Sequence, residues 1–252
     1  MKISCVIITY NEERNIERCL KSVLEIADEI IVLDSFSTDK TKDICLNYKV
    51  RFFQQNFAGY SGQKNYANSL ANFDYILSID ADEEVSETLK NSILEIKKTP
   101  TYDVYEFNRM SMFCGRWIHH SHYYPDRKQR IWKKGTANWE GKIHEKLKFE
   151  GKPEIFSLKG DLLHYPIENI EEFIVQQNDF SKLKSEELFE KGKRSNILRI
   201  IFKPMYKFIY TYFLRLGFLD GFEGFIFCSL SACFDLVTQL KLKTIQNKAR
   251  KN

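Results

Sequence analysis

At 252 residues, with 43% hydrophobic and 14% aromatic side chains, the chain can fill the core of one large domain or of one domain with a helical appendage, which excludes a disordered protein. Its formal charge of +4 is unevenly spread: 12 Lys/Arg against 16 Asp/Glu over residues 1–100 leave −4, and 14 against 6 over residues 181–252 leave +8. A basic end can meet nucleic acid or an anionic membrane surface, and its aromatic and aliphatic content favours the membrane, so no nucleic-acid partner is expected. Six cysteines at 5, 19, 45, 114, 228 and 233 form no C-x-x-C pair, and no signal peptide precedes the first strand. A reduced, cytoplasmic compartment is expected, with Cys5 and Cys19 reading as small core hydrophobes.

Residues 3–9 are a β-branched strand-length run, followed by the polar break Tyr10-Asn11-Glu12-Glu13 and a helical stripe of Ile16, Cys19, Leu20, Val23 and Leu24. A second strand, 29–33, ends at Asp34, and Ser37-Thr38-Asp39 offers N-cap chemistry for a helix reaching about Tyr48. A third strand follows at 50–54, a helix at 61–71 and a fourth strand at 75–79. Four alternations of strand and helix predict an α/β fold with a parallel, doubly wound sheet whose functional loops lie at the carboxyl ends of the strands.

Three of those ends are polar where a core would be apolar: Thr9 to Glu12, Asp34 with Ser35, and Asp80-Ala81-Asp82. Paired carboxylates at the mouth of a parallel sheet suit Mg²⁺ or Mn²⁺ carrying a substrate diphosphate. The competing reading is that Asp82, Glu83 and Glu84 solvate the positive end of the next helix. No glycine-rich phosphate loop follows the first strand, which disfavours a dinucleotide or P-loop site.

The runs Cys5-Val6-Ile7-Ile8-Thr9-Tyr10-Asn11-Glu12, Ile31-Val32-Leu33-Asp34-Ser35-Phe36-Ser37-Thr38-Asp39 and Asp80-Ala81-Asp82, in this order and strand context, resemble family 2 glycosyltransferases of the GT-A fold. The resemblance implies an inverting, metal-dependent enzyme that takes a nucleotide-sugar, with a UDP-sugar expected, and a Rossmann-like, mostly parallel sheet flanked by helices. It implies that Thr9, Tyr10 and Glu12 touch the nucleoside, that Asp34 accepts a hydrogen bond from the base, and that Lys64 sits near base or diphosphate. Asp82 would hold the metal, with Asp80 beside it through the metal shell or the ribose. The family often has D-D-G-S where this chain has Asp34-Ser35-Phe36-Ser37. For Lys64 a solvated helix charge is the alternative.

After Pro100 the sequence turns aromatic and mixed in charge, with strand-like pieces at 102–108, 128–133 and 142–149. Trp117, Tyr123, Tyr124, Trp132 and Trp139 can face sugar rings or fill a core, and Arg109, Arg116, Arg127 and Arg130 can grip phosphate or carboxylate groups. His119-His120-Ser121-His122 lacks a partner pair at zinc-site spacing. Pro125 to Trp132 and Gly141-Lys142-Ile143-His144-Glu145 resemble the later half of a subgroup that includes lipopolysaccharide core glucosyltransferases. By that resemblance Glu145 is the first candidate for the base that deprotonates the acceptor, with Asp126 and Glu140 as rivals. A helix is expected over 169–191. Residues 197–242 hold no uncharged apolar run of spanning length, so their helices are expected to lie on an anionic bilayer, or else to pack on the catalytic domain or across a homodimer.

The expected organisation is therefore a catalytic domain over 1–166, with 1–99 binding the nucleotide-sugar and 100–166 facing the acceptor, followed by C-terminal amphipathic helices over 167–252. The expected acceptor is a glycolipid, lipid-linked oligosaccharide or lipopolysaccharide core at the inner face of the cytoplasmic membrane. A sugar nucleotidyltransferase or a non-catalytic nucleotide-binding membrane scaffold are the alternatives; the former normally needs the glycine-rich loop that is missing here.

Overall fold

The computed structural model describes residues 1–141 and 145–249. Lys142, Ile143 and His144, the start of one expected strand and the partner of Glu145 in the expected His-Glu pair, lie outside the described residues. Two compact units divide the chain: Met1–Arg109 with Asp126–Tyr165, and Met110–Pro125 with Pro166–Asn252. Residues 110–125, read above with the acceptor side, thus group with the C-terminal helices.

In the first unit β1 (Ile3–Thr9), β2 (Glu29–Asp34), β3 (Arg51–Gln54) and β4 (Tyr75–Asp80) alternate with α1 (Ile16–Val23), α2 (Thr41–Leu46) and α3 (Tyr60–Ser69). β1 pairs in parallel with β2 and β4, and β2 with β3. Successive side chains face opposite sides of a strand, and both sides are covered. Cys5, Ile7, Leu77 and Ile79 meet Ile16, Cys19, Leu20 and Val23 of α1. Val6, Ile31, Leu33 and Ile76 meet Ala67 of α3 and Trp132 on the other side. Double coverage is why β1, β2 and β4 read as mostly apolar runs, and why Cys5 and Cys19 sit buried as reduced thiols.

The register matters most for function. Thr9 stands beside Asp34 and Ile8 beside Asp80, so the polar ends of β1, β2 and β4 open on one edge of the sheet. Beyond β4 come β5 (Glu83–Val85), α4 (Glu87–Lys98), β6 (Val104–Phe113), β7 (Arg116–Trp117), β8 (Asp126–Lys133), β9 (Ala137–Glu140), β10 (Lys146–Phe149) and β11 (Ile155–His164). The sheet order is β3-β2-β1-β4-β8-β6-β11-β5, with β7 on β6 and a separate β9–β10 hairpin. β8 joins β4 antiparallel, and β5 pairs antiparallel with β11. Glu83 and Glu84 therefore belong to a strand, and α4 starts later, capped by the Ser86 hydroxyl that accepts from Leu89 N–H at 3.3 Å. Gly160 lets β11 cross that helix start: a Cβ there would lie 2.3 Å from Leu89 N.

In the second unit α5 (Ile170–Glu190), α6 (Ile197–Ile209) and α7 (Gly221–Ala249) follow the 110–125 segment. Phe113, Ile118, Ile167, Phe173, Phe227 and Cys228 form its core. Asp220, buried, accepts from His119 N–H (3.1 Å) and His120 N–H (2.9 Å) and lies 2.9 Å from His120 Nδ1. The histidine cluster thus serves a turn, and no group of three metal-ligating side chains occurs among the described residues. Gly217–Ala249 is one stretch long and apolar enough to cross a membrane by length and composition, although α7 buries Phe227, Cys228, Ala232 and Leu242 within its unit. α6 buries none of its residues.

Candidate active site

The loops after β1 and β2 are laced together. Ser35 N–H donates to Thr9 O (2.9 Å), Asn11 N–H to Ser37 Oγ (2.8 Å) and Thr38 N–H to Asn11 Oδ1 (2.8 Å). Asp34 is fully buried, and its carboxylate accepts from Ser37 N–H (2.9 Å), Gln54 Nε2 (3.0 Å) and the Ser37 hydroxyl. Its visible work is to shape the loop from beneath. With Ser35 and Ser37 both held, Phe36 between them takes φ 62°, a left-handed backbone that a bulky side chain adopts at a cost, and its ring is exposed. Asn11 takes φ 54° across from it, and Tyr10 is 59% exposed.

The motif Gly62-Gln63-Lys64-Asn65 on α3 joins three parts of the edge. Gln63 Nε2 donates to Ser35 Oγ (3.0 Å), in the loop after β2. Asn65 exchanges two hydrogen bonds with the Trp139 backbone (2.9 and 2.8 Å), and Ser61 Oγ donates to Gly141 O (2.6 Å). Lys64 points inward. It is 3% exposed, with Nζ 2.9 Å from Asp80 Oδ1, 3.0 Å from Glu145 Oε1 and 4.7 Å from the Trp139 ring centre, so the solvated-charge alternative is corrected. A lysine that gives up water needs such partners.

The second oxygen of Asp80 lies 3.1 Å from Arg130 Nη2, which also donates to buried Glu83 (2.8 Å). Burial alone would raise the Asp80 carboxyl, but Lys64 and Arg130 outweigh it and hold it well below the usual carboxylate range. Glu83 in turn accepts from Asp80 N–H (2.9 Å) and braces the loop. Nε and Nη1 of Arg130 are buried donors without an acceptor. Arg130 was legible as one of four arginines; that it is the one facing the D-x-D loop follows from the β4–β8 pairing, which has no local signature.

Asp82 takes a different partner. Its Oδ2 lies 3.3 Å from His164 Nε2, at the end of β11, where Tyr165 N–H donates to Asp82 O (2.9 Å). Sequence reading missed His164, because the β11–β5 register that brings it 82 positions back along the chain leaves no pattern of its own. Two donors at this spacing match neighbouring positions of an octahedral ion with ligands at about 2.1 Å, which lie about 3 Å apart. Asp82 and His164 would thus supply two ligands to a divalent cation, the group that would carry the charge of a diphosphate.

Glu145 and Asp126 are separated in role. Glu145 shares Lys64 with Asp80, whereas Asp126 lies between Arg109 (2.9 Å) and Lys128 (2.9 Å). Glu140 pairs with Lys148 (3.0 Å) at the surface of the β9–β10 hairpin. Trp132 and Trp139 are core residues, packed edge to face at 6.0 Å.

Glu12 carries the one carboxyl here pushed up to about 7: burial is the main cause, an Asn15 hydrogen bond opposes it, and Asp82, Asp39 and Asp80 add repulsion. A carboxyl raised in the folded state contributes stability below about pH 4.5 and loses it as pH climbs through about 7. In chelator, urea unfolding should therefore show stability falling by about 1 kcal/mol between pH 5 and 8, allowing for partial exposure. Glu12→Gln should flatten that slope; an unchanged slope assigns it to another group.

The alternating sheet with an acid-lined edge after its fourth strand is the architecture of a GT-A fold. Residues 4–153 match the family described as glycosyl transferase family 2, and the chain belongs to it and is a glycosyltransferase. An uncharacterized glycosyltransferase of Rickettsia bellii is 31% identical over 258 residues, covering 97% of this chain and 87% of that protein. The lipopolysaccharide core biosynthesis glycosyltransferase LpsC of Rhizobium meliloti is 29% identical over 250 residues, covering 96% and 92%. A crystal structure of S. aureus TarS 1-349 in complex with UDP-GlcNAc is 17% identical, with a TM-score of 0.49 over 100% of this chain and 92% of that one.

Proposed function

We propose that the chain is an inverting hexosyltransferase that moves a sugar from a UDP-sugar to a lipid-linked or lipopolysaccharide-core glycan at the inner face of the cytoplasmic membrane. The observation that carries this reading is the Lys64 bridge, which ties Asp80 of the D-x-D loop and the candidate base Glu145 to one buried cation. Donor and acceptor must meet at bonding distance, and one cation shared by their protein partners favours that. The relative LpsC, named for lipopolysaccharide core biosynthesis, supports the acceptor class.

Thr9, Tyr10 and Glu12 bound the nucleoside pocket, with buried Asp34 holding the loop beneath it, and the exposed rings of Tyr10 and Phe36 offer flat faces to the base. Asp82 and His164 would hold Mg²⁺ or Mn²⁺, which when bound neutralises charge gathering on the departing nucleoside diphosphate. Asp80, fixed by Lys64 and Arg130, orients the ribose or the outer shell of the ion, and the idle Arg130 donors add positive charge beside it. Glu145 takes the acceptor's hydroxyl proton as that oxygen bonds to the anomeric carbon from the face opposite the diphosphate. The bond to the diphosphate breaks in the same event and the configuration inverts.

A panel of labelled nucleotide-sugars with Mn²⁺ tests the reading. Slow release of UDP from one labelled UDP-sugar supports the donor assignment, and release only from sugars carried on another nucleotide overturns it. Phe36→Gly gives a second test: relief of the left-handed backbone should leave the melting temperature unchanged or higher, while loss of a stacking face weakens nucleoside diphosphate binding by about fivefold or more. A variant that is both less stable and equally tight binding would remove Phe36 from the pocket.

A further inference from the structure

The second unit carries a recess lined by none of the residues placed in the candidate active site. The turn after α5 and the start of α6 enclose about 300 Å³ lined by Lys193, Arg194, Ser195, Asn196 and Arg199. Three of these are cationic, and α6 has no acid in its first turn to offset the positive end of its dipole. Arg199 Nη1 donates to Arg194 O (2.8 Å), and the Arg194 guanidinium lies 4.9 Å from the Phe189 ring centre, so both are held at the rim.

Ser195 gives an independent sign of a ligand. It is 3% exposed, lines the recess, and its hydroxyl has no hydrogen-bond partner. Its backbone is pinned: with the amide turned to satisfy both groups, Gln246 donates to Ser195 O (3.1 Å) and accepts from Ser195 N–H (2.6 Å). A fixed, buried hydroxyl without a partner is unfavourable until something completes it. Adjoining the recess and sharing Lys193 and Arg199 is a groove of about 650 Å³ whose apolar wall includes Leu188, Leu198, Phe202, Tyr206 and Leu242. Along α6, Leu198, Phe202, Met205 and Ile209 recur at i, i+4, i+7 and i+11 as an exposed stripe.

We propose that the recess binds the phosphate of an anionic phospholipid and that the adjoining groove takes its acyl chain. A free anion has no use for the groove, and a neutral lipid none for the cations; an amphiphilic phosphate uses both. The inference deepens the reading that this unit meets the membrane and rests on it.

The test is sedimentation of the full chain with phosphatidylcholine vesicles, with and without phosphatidylglycerol. The wild type should bind only the phosphatidylglycerol vesicles. Arg199→Gln and Lys193→Gln should each weaken binding about fivefold. Ser195→Ala should weaken it without lowering the melting temperature, because the lost hydroxyl has no partner to leave. Phe202→Glu, at an exposed position, should abolish vesicle binding in a protein with unchanged circular dichroism. Vesicle binding that Arg199→Gln, Lys193→Gln and Ser195→Ala all leave unchanged overturns the phosphate recess but keeps the membrane reading; no binding at either composition overturns both. Calorimetry with inorganic phosphate closes the remaining gap: affinity equal to that for the lipid, untouched by Phe202→Glu, overturns the acyl-chain groove.

Discussion

Asp82→Ala should leave the protein folded and make nucleoside diphosphate binding indifferent to Mn²⁺. The carboxylate is partly exposed, and its side-chain partner among the described residues is His164 Nε2 at 3.3 Å, a contact whose loss costs about 1 kcal/mol. The brace of the loop stays, because Asp80 remains held by Lys64, Arg130 and the Glu83–Asp80 N–H bond. What goes is one of two side chains fit to hold the cation, and with it a charge stabilisation of several kcal/mol, so UDP affinity measured by calorimetry in Mn²⁺ should fall about 100-fold or more. In chelator the two proteins should bind UDP alike. His164→Ala should give the same pattern with a smaller fall. Retained Mn²⁺ enhancement in Asp82→Ala would move the ion to other ligands, and a fall of equal size in chelator would mean that Asp82 touches the nucleotide directly.

The contrast between Asp82 and Asp80 also marks how far the sequence could be read. The strands at 3–9, 29–33 and 75–79 were legible because burial on both faces makes each a mostly apolar run between polar breaks, and the polar residues at their ends then named Thr9, Asp34 and Asp80 without any structure. The GT-A resemblance extended this to Lys64. What could not be read was which charges meet. Lys64 and Glu145 are 81 positions apart, Asp80 and Arg130 50 apart, and each meeting depends on a pairing between distant strands or on α3 gripping the β9–β10 hairpin. His164 was missed for the same reason. Glu83, a solvating acid only in the competing reading, is a buried brace because residues 83–85 form a strand with β11 rather than the start of α4. Phe36 shows the limit on the local scale. Its departure from the family pattern was visible in the sequence, but its left-handed backbone follows from hydrogen bonds on both sides that only the laced loops supply.

Glu145→Gln is the variant expected to separate binding from chemistry. The amide keeps an oxygen that can accept from Lys64 Nζ, so the buried lysine stays partnered and Asp80 still neutralises it. Removing the lysine instead would be uninformative: Lys64→Met leaves Asp80 and Glu145 short of a cation in a buried setting, a change that costs about 3–5 kcal/mol and disturbs both donor and acceptor sides. With Glu145→Gln, donor affinity should stay within about twofold of wild type, since no proton moves on binding, while kcat falls by roughly two to four orders of magnitude, the usual contribution of a positioned base. Asp126→Asn is the matched control. Its carboxylate is engaged by Arg109 and Lys128, and the variant should retain most of the wild-type kcat. If Asp126→Asn instead loses turnover and Glu145→Gln does not, the base moves to β8, and the Lys64 bridge becomes a device for ordering the D-x-D loop alone.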